Sequence, residues 1–255
     1  MAPPVRGVET RPEGATAAFL LVHGFCAAPN EVRTLGEYLS ALGIASFAVE
    51  LAGHNSSVED LKKTTWKDWY NSVERGLEYV RTWNTEKVLV AGISLGGVLS
   101  IILAANEPID GLVLIAPALK LDGLALKLVP ILKYFMKDRE IDVVKAQEIY
   151  EVKRTKYDRE PVSAGHELLK AVKAARKSLS RVTAPTLVIQ GAKDKSINPE
   201  SGRTAYEGIA STQKELYMIE EGEHVITCHY TRHEAYSHLR RFMTDTIGLD
   251  IKSSE

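Results

Sequence analysis

Short apolar runs alternate with longer segments of helical periodicity along most of this chain. The runs are rich in Val, Ile, Leu and Ala, a composition typical of strands buried on both faces. Between them, apolar residues recur at spacings of three and four, which predicts amphipathic helices. The predicted strands are 18–22, 45–49, 87–91, 112–116, 186–190 and 216–219. The predicted helices are 31–42, 66–83, 95–105, 200–209 and 231–247.

This alternation predicts an α/β fold in which a mostly parallel sheet carries helices on both faces. One segment interrupts it, because about seventy residues between the strands at 112–116 and 186–190 show only helical or irregular patterns. A structureless loop of that length is uncommon within a compact domain. The sequence therefore predicts an inserted helical element at this place.

The charge distribution sets this inserted element apart. The whole chain has 32 basic and 33 acidic residues, which argues against a polycation that binds nucleic acid through its phosphates. Residues 120–181 hold 15 basic and 9 acidic residues, a net charge of +6, whereas the rest of the chain carries −7. Apolar residues recur there at helical spacing among lysines: Leu121, Leu124, Leu128, Leu132 and Phe135. Two interpretations stay open, a cationic helix that contacts a lipid surface and a helix that covers a pocket with its lysines in solvent.

Three further features concern the compartment. The two cysteines, Cys26 and Cys228, are too few for a disulfide framework. The first residues lack the apolar region of a secretory signal, and the apolar runs are shorter than the roughly 18 residues of a membrane span. We therefore expect an intracellular, cytoplasmic protein.

Residues 92–96 read Gly-Ile-Ser-Leu-Gly and lie between a predicted strand and a predicted helix. The G-x-S-x-G pattern in this context is typical of a nucleophilic serine, and its tight turn requires small neighbours. Serine is a weak nucleophile near neutral pH and needs a base to accept its proton. We predict Ser94 as the nucleophile, with a glycine-rich turn that has no chemistry as the alternative.

An acid and a base follow later strands. Serine hydrolases built on this strand–turn–helix motif place Asp or Glu after the serine, and His last. Asp194 follows the strand at 186–190, and His224 follows the strand at 216–219. A carboxylate at that position can orient the imidazole and stabilise its protonated form. The other histidines precede Ser94, lie in the inserted element or belong to the C-terminal helical stretch, so Asp194 and His224 are the predicted partners.

The oxyanion of an acyl-transfer intermediate needs two backbone N–H donors. One is predicted at Leu95, directly after the nucleophile, and the other at Phe25, in the His23-Gly24-Phe25 segment that ends the first strong strand. The alternative for this segment is a plain glycine turn with a structural histidine at position 23.

Other chemistries have less support. Cys228, His229, His233 and His238 lie close together, and His229 and His233 have the spacing of one helix face. No H-E-x-x-H pattern and no fourth ligand accompany them, so no metal is predicted. Neither G-x-G-x-x-G nor a P-loop is present, so no nucleotide cofactor is predicted. Cys26 is expected to be a small packing residue.

These segments resemble the α/β-hydrolase superfamily and, within it, the group of small bacterial-type carboxylesterases and monoacylglycerol lipases. The resemblance is carried, in family order over nearly the whole chain, by residues 23–25, 53–54, 92–97, 184–190, 194 with 197–199, and 224–227. The chain departs from the group at Cys26, where a small polar residue or Gly is expected. It departs again at Cys228-His229, where Leu-Asp can follow the His-Val-Ile-Thr run.

The resemblance implies an α/β-hydrolase fold with a mostly parallel central sheet, helices on both faces and a small inserted helical cap. It implies a core of residues 1–116 and 184–255, with residues 117–183 forming the cap over an acyl pocket. It also implies a triad and two oxyanion donors at the positions predicted above, namely Ser94, Asp194, His224, Phe25 and Leu95.

The implied activity is hydrolysis of carboxylic esters with short- to medium-chain acyl groups, monoacylglycerols among them, through an acyl-enzyme on Ser94. No metal or organic cofactor is needed. The expected partners are a small-molecule ester and, through the cap, a transient lipid surface, but no nucleic acid. The expected state is a monomer or a homodimer. The alternatives are a thioesterase, an acyltransferase or a peptidase on the same triad, or a non-catalytic ligand-binding protein of this fold.

Overall fold

A seven-stranded sheet forms the centre of the protein in a computed structural model that describes residues 5–121 and 138–251. The strands are β1 (Gly7–Thr10), β2 (Ala17–Val22), β3 (Ala45–Val49), β4 (Lys87–Ile93), β5 (Gly111–Ile115), β6 (Asp138–Glu140), β7 (Arg159–Pro161), β8 (Thr186–Gly191) and β9 (Lys214–Ile219). The helices are α1 (Arg33–Ala41), α2 (Val58–Lys62), α3 (Trp66–Arg81), α4 (Leu95–Ala104), α5 (Val143–Gln147), α6 (Val162–Ser178), α7 (Glu200–Gly208) and α8 (Arg232–Arg241). Short 3₁₀ helices occur at Pro29–Val32, Leu179–Arg181 and Ile226–Cys228, and a π-helical turn at Phe242–Thr246 follows α8.

The order of strands in the sheet determines where the chemistry lies. The order is β1-β3-β2-β4-β5-β8-β9, and every neighbouring pair is parallel except β1 with β3. Carboxyl ends of parallel strands meet at one edge, where open α/β sheets bind their ligands. His23 follows β2 and Ser94 follows β4 at this edge, and the loops after β8 and β9 bring Asp194 and His224 to it.

The sheet is buried on both faces because its strands are apolar at consecutive positions. In β2, Leu20 faces a cluster with α3, α4, α6 and α7, whereas Phe19 and Leu21 face a cluster with α1 and α8. All six residues of β2 are buried. This arrangement confirms the predicted α/β fold with helices on both faces.

All six predicted strands form, with ends within two residues of the prediction. The predicted helices form as well, but the one at 31–42 begins with a 3₁₀ turn, and the one at 231–247 ends in a π-helical turn. The exposed antiparallel edge strand β1 was not predicted, because it lacks a run of buried apolar residues. Helix α2, which is only five residues long, was not predicted either.

The inserted segment needs one correction. It was predicted to be helical or irregular, but β6 and β7 pair in it as an antiparallel ribbon. Each strand has three residues, too few to show a period of two. The predicted amphipathic helix runs from Leu121 to Phe135, and all of it after Leu121 lies outside the described residues. The boundaries between the core and the cap stay predictions. No helix within residues 5–121 and 138–251 combines the length and apolar character needed to cross a bilayer.

Candidate active site

Ser94 occupies the sharp turn between β4 and α4. Its backbone has φ +54° and ψ −116°, a conformation that L-residues rarely adopt, and its N–H donates to the carbonyl of Ile115 on β5. The turn is tight enough that a Cβ on Gly96 would overlap the backbone carbonyl of Val22. Glycine is therefore required two residues after Ser94 because the first turn of α4 packs directly against the end of β2.

The structure brings the predicted nucleophile, base and acid into one hydrogen-bonded chain. The Nε2 atom of His224 lies 3.0 Å from the Oγ atom of Ser94. On the other side of the ring, Nδ1 lies 2.7 Å from the Oδ2 atom of Asp194. Ser94 and His224 are 130 positions apart in sequence, and the parallel sheet is what places them side by side.

The environment of Asp194 keeps it ionised and fixed in place. Its Oδ1 accepts the N–H groups of Ser196 and Ile197 at 2.8 and 3.0 Å, and its Oδ2 also accepts the Gln190 amide at 3.2 Å. Burial alone would raise the pKa of Asp194, but the hydrogen bond and charge of His224 and these N–H donors together hold the pKa below its usual value. A carboxylate at Nδ1 requires a proton there, so the lone pair of Nε2 faces the Ser94 hydroxyl.

The two predicted oxyanion donors lie next to residues of the site. Leu95 follows Ser94 directly, and Gly24, the residue before Phe25, lies against Ser94, where an added Cβ would come 3.4 Å from the Ser94 Cβ. Leu95 is the first residue of α4, and the first N–H groups of a helix have no partner within the helix. Phe25 lies in the loop after β2, and its ring packs against His54 and Trp69 with centroid distances of 6.2 and 5.9 Å. These contacts hold the Phe25 side chain in place, and its backbone N–H stays a predicted oxyanion donor.

His23 supports this loop in a way that the sequence reading did not resolve. Its Nδ1 lies 2.9 Å from the carbonyl oxygen of Gly24, and its Nε2 accepts the N–H of Leu51 at 3.3 Å. Since a carbonyl only accepts and an N–H only donates, the ring is neutral with its proton on Nδ1. Burial lowers the pKa of His23, which agrees with this neutral form. The carbonyl of Gly24 is thereby tied to the His23 ring.

His54 is a second buried neutral histidine beside this loop. Its Nδ1 donates to the carbonyl of Ala52 at 3.1 Å, and its ring contacts those of His23, Phe25 and Trp69. Burial, and then the neighbouring His23, lower the pKa of His54 from 6.5 to about 3. Protonation of His54 therefore works against the folded state.

Acidification from pH 7 to pH 4.5 is expected to destabilise the fold through His54. In this range the unfolded chain binds a proton at His54 and the folded chain does not, so the free energy of unfolding decreases as the pH falls, by roughly 3 kcal/mol for this group. Urea unfolding at both pH values measures the decrease. His54→Gln is expected to make the decrease smaller, with the part due to buried His23 remaining, whereas His233→Gln, at an exposed position on α8, serves as the control. An equally steep decrease in His54→Gln would contradict the assignment to His54.

The structure separates the remaining candidates from this site. Cys26 is fully buried, as expected of a packing residue, but it adopts a positive φ of 55°. The predicted common helix face of His229 and His233 is wrong, because α8 begins only at Arg232. His229 instead turns inward and bonds Thr231. In the described parts of the chain, no three His, Cys, Asp or Glu side chains are grouped so that they could hold a metal ion.

Comparison with known proteins finds relatives and a solved structure of the same fold over most of the chain. A carboxylesterase of Bacillus subtilis (strain 168) is 29% identical over 231 residues, which cover 91% of this chain and 94% of the relative. A thermostable monoacylglycerol lipase of Bacillus sp. (strain H-257) is 28% identical over 221 residues, 86% of each chain. A solved structure from work on the metagenome-derived lipolytic enzymes LipS and LipT superimposes with a TM-score of 0.86 at 24% identity, covering 94% of this chain and 97% of the other.

These similarities confirm the α/β-hydrolase fold and the resemblance that the motifs predicted. The profile of one family matches residues 13–229, a span that includes Ser94, Asp194 and His224. The chain belongs to the serine aminopeptidase S33 family of hydrolases.

Proposed function

We propose that this protein is a serine hydrolase that cleaves carboxylic esters with short- to medium-chain acyl groups, including monoacylglycerols. The observation that carries the proposal is the hydrogen-bonded chain from Asp194 through His224 to Ser94. Relatives named carboxylesterase and monoacylglycerol lipase over most of the chain support the ester as the substrate class.

In the first half of the reaction, the Oγ atom of Ser94 attacks the ester carbonyl while Nε2 of His224 takes the hydroxyl proton. The oxyanion that forms is held by the backbone N–H groups of Phe25 and Leu95. The C–O bond to the alcohol then breaks, and protonated His224 gives its proton to the leaving alkoxide. Asp194 stabilises the imidazolium during this interval, and an acyl-enzyme on Ser94 remains.

In the second half, a water molecule takes the place of the alcohol. His224 removes a proton from the water as its oxygen attacks the acyl carbonyl, and the same two N–H donors hold the second oxyanion. Collapse of this intermediate returns the proton to Ser94 and releases the carboxylic acid. The chain needs no metal or organic cofactor for either half.

The family bears the name of an aminopeptidase, so amide cleavage is the alternative to test. An aminopeptidase needs a carboxylate free to bind the substrate's α-amino group. The buried carboxylate of Glu31, next to the oxyanion loop, is already engaged by Arg154 and by the N–H of Gly24. Glu31 is therefore not available for that role, and the ester remains the substrate class that the names of the relatives support.

A substrate panel tests the proposal. We expect monoacylglycerols and simple nitrophenyl esters to be hydrolysed with a maximum kcat/KM at short or medium acyl chains. Matched thioesters and aminoacyl anilides are expected to react at least about tenfold more slowly, a difference of about 1.4 kcal/mol in the activation free energy. A higher kcat/KM for the anilides would overturn the ester assignment and establish the peptidase. Transfer of the acyl group to an added alcohol instead of water would indicate an acyltransferase.

Transient contact of the cap with a lipid surface stays a prediction, because the residues that suggest it lie mostly outside the described chain. The oligomeric state, a monomer or a homodimer, also stays a prediction. The coarser statement, that the protein acts on a small-molecule ester, is the one that the relatives support.

A further inference from the structure

Glu31 is a buried carboxylate beside the active site that the mechanism does not use. It lies in the 3₁₀ helix Pro29–Val32, and its side chain is 4% exposed. One carboxylate oxygen, Oε2, accepts the N–H of Gly24 at 2.6 Å. The other, Oε1, accepts from the guanidinium of Arg154 at 2.9 Å, and the Arg154 side chain is only 6% exposed.

Stability alone is a weak reason for such a pair. Removing two charges from water costs several kcal/mol per ion, and well-packed apolar side chains often replace a buried ion pair without loss. The short bond from Gly24 N–H to a charged acceptor, in contrast, has a clear geometric effect. The role of the pair therefore lies in what it holds.

What it holds is the N–H side of Gly24, the residue directly before the predicted oxyanion donor Phe25. The N–H of Gly24 is tied to Glu31, and the carbonyl of Gly24 is tied to the His23 ring. In a trans peptide the next N–H points opposite to that carbonyl, so the N–H of Phe25 is directed away from His23. A Cβ on Gly24 would lie 2.7 Å from Oε2 of Glu31 and 3.4 Å from Cβ of Ser94, which shows how closely this peptide fits between the carboxylate and the nucleophile.

Arg154 belongs to the segment inserted between β5 and β8, and the residues around it are docked on the same loop. The N–H of Tyr157 donates to the carbonyl of Cys26 at 3.1 Å, and Lys156 forms a β-bridge with Ala27. Thr155 exchanges hydrogen bonds with Asn30. The inserted segment is thus paired with the oxyanion loop through a short antiparallel contact.

The same stretch also reaches the loop of the general base. The hydroxyl of Tyr150 accepts the N–H of Val225, the residue after His224, at 3.3 Å, and the Arg154 guanidinium lies 5.3 Å from the Tyr150 ring centroid. The backbone carbonyl of Glu31 accepts the hydroxyl of Thr227 at 2.7 Å. Three segments therefore converge at Glu31: the oxyanion loop, the inserted segment and the loop that carries the base.

We propose that Glu31 and Arg154 are positioning residues: by fixing Gly24 they set the direction of the Phe25 N–H as an oxyanion donor, and they make acyl transfer depend on docking of the inserted segment. The proposal rests on the proposed function, since it needs an oxyanion to act on. Glu31 anchors the Gly24 N–H, and the His23 ring anchors the Gly24 carbonyl. Arg154 binds the second oxygen of the Glu31 carboxylate and holds the first toward Gly24.

Three variants and one control test this assignment. Glu31→Gln keeps the shape of the side chain but leaves a single oxygen for two donors, the Gly24 N–H and the Arg154 guanidinium. Arg154→Met removes the guanidinium, and with it both the competing donor and its positive charge. In the double variant, the single amide oxygen of the substituted side chain is free to accept the N–H of Gly24. Asp138→Asn is the control, because Asp138 joins the inserted segment to Lys62 at 2.9 Å, away from the oxyanion loop.

Glu31→Gln is expected to lower kcat by about 10- to 100-fold with KM within about threefold, less than the loss of a whole oxyanion donor. The double variant is expected to recover part of this loss, and Asp138→Asn to keep the wild-type kcat. All rates are measured per titrated active site and at least about 15 °C below the Tm of each variant, so that partial unfolding does not enter.

A second readout separates positioning from a purely structural role. Sulfur is a weak hydrogen-bond acceptor, so the ratio of kcat/KM for an ester over its thionoester reports how much the oxyanion donors contribute. We expect Glu31→Gln to reduce this ratio by on the order of tenfold, because the Phe25 N–H would no longer be directed at the oxyanion. A lower Tm with unchanged kcat and an unchanged ratio would overturn the proposal. Absence of esterase activity from the wild-type chain would instead overturn the proposed function.

Discussion

Ser94→Ala is expected to reduce kcat for ester hydrolysis by about 10⁵- to 10⁶-fold, the loss observed when a triad serine is removed. Without Oγ there is no acyl-enzyme, and water must attack the ester directly. The remaining turnover comes from substrate binding and the oxyanion donors. Removal of one hydroxyl at the turn is expected to leave Tm nearly unchanged, so kcat from steady-state kinetics measures the chemical role.

The control for this variant is Ser237→Ala, an exposed hydroxyl on α8 that donates to the carbonyl of His233. A fluorophosphonate probe is expected to label the wild type and Ser237→Ala but not Ser94→Ala. Turnover of a nitrophenyl ester by Ser94→Ala within tenfold of the wild type would refute the acyl-enzyme on Ser94. Failure of the wild-type chain to react with the probe would point to the non-catalytic ligand-binding alternative.

Asp194→Asn is expected to lower kcat by about 10⁴-fold. The asparagine can still accept the N–H groups of Ser196 and Ile197, so the loop keeps its shape. Its amide NH₂, however, then faces Nδ1 of His224 and favours the tautomer with the proton on Nε2. In that tautomer His224 presents a proton to Ser94 and cannot accept one.

The matched control is Asp245→Asn, an exposed carboxylate in the turn after α8 whose bond is to its neighbour Thr244. We expect it to keep the wild-type kcat. NMR of the imidazole ring gives an independent check, because the tautomer change moves the proton from Nδ1 to Nε2. An Asp194→Asn variant with near-normal kcat would exclude Asp194 as the group that orients His224.

The positions that the sequence predicted for the site come together because each is tied to a local pattern. G-x-S-x-G places Ser94 at a strand–helix turn, and Asp194 and His224 each follow a recognisable buried strand. Because those strands run parallel in one sheet, their carboxyl ends lie at the same edge. The roles of these residues remain proposals that the variants above test.

The contacts of the residues around the triad could not be predicted from the sequence. Glu31 and Arg154 are 123 positions apart, and each looks like an ordinary surface charge in its local sequence. A structural role for His23 was one of two interpretations of its segment, but its tautomer depends on Leu51, 28 positions away. No periodicity records which buried donor meets which acceptor, because that depends on how separate segments cross.

The sequence by itself determined the six buried strands and the five helices predicted with them, and their order along the chain. This is because the period of apolar residues and the tolerance of glycine at tight turns are properties of neighbouring residues. The tertiary structure alone decided that β1 adds an antiparallel edge and that β6 and β7 pair in the inserted segment. It also decided that Arg154 of that segment meets Glu31 beneath the oxyanion loop. These contacts join distant parts of the chain, and burying a charge is tolerable only where the fold supplies its partner.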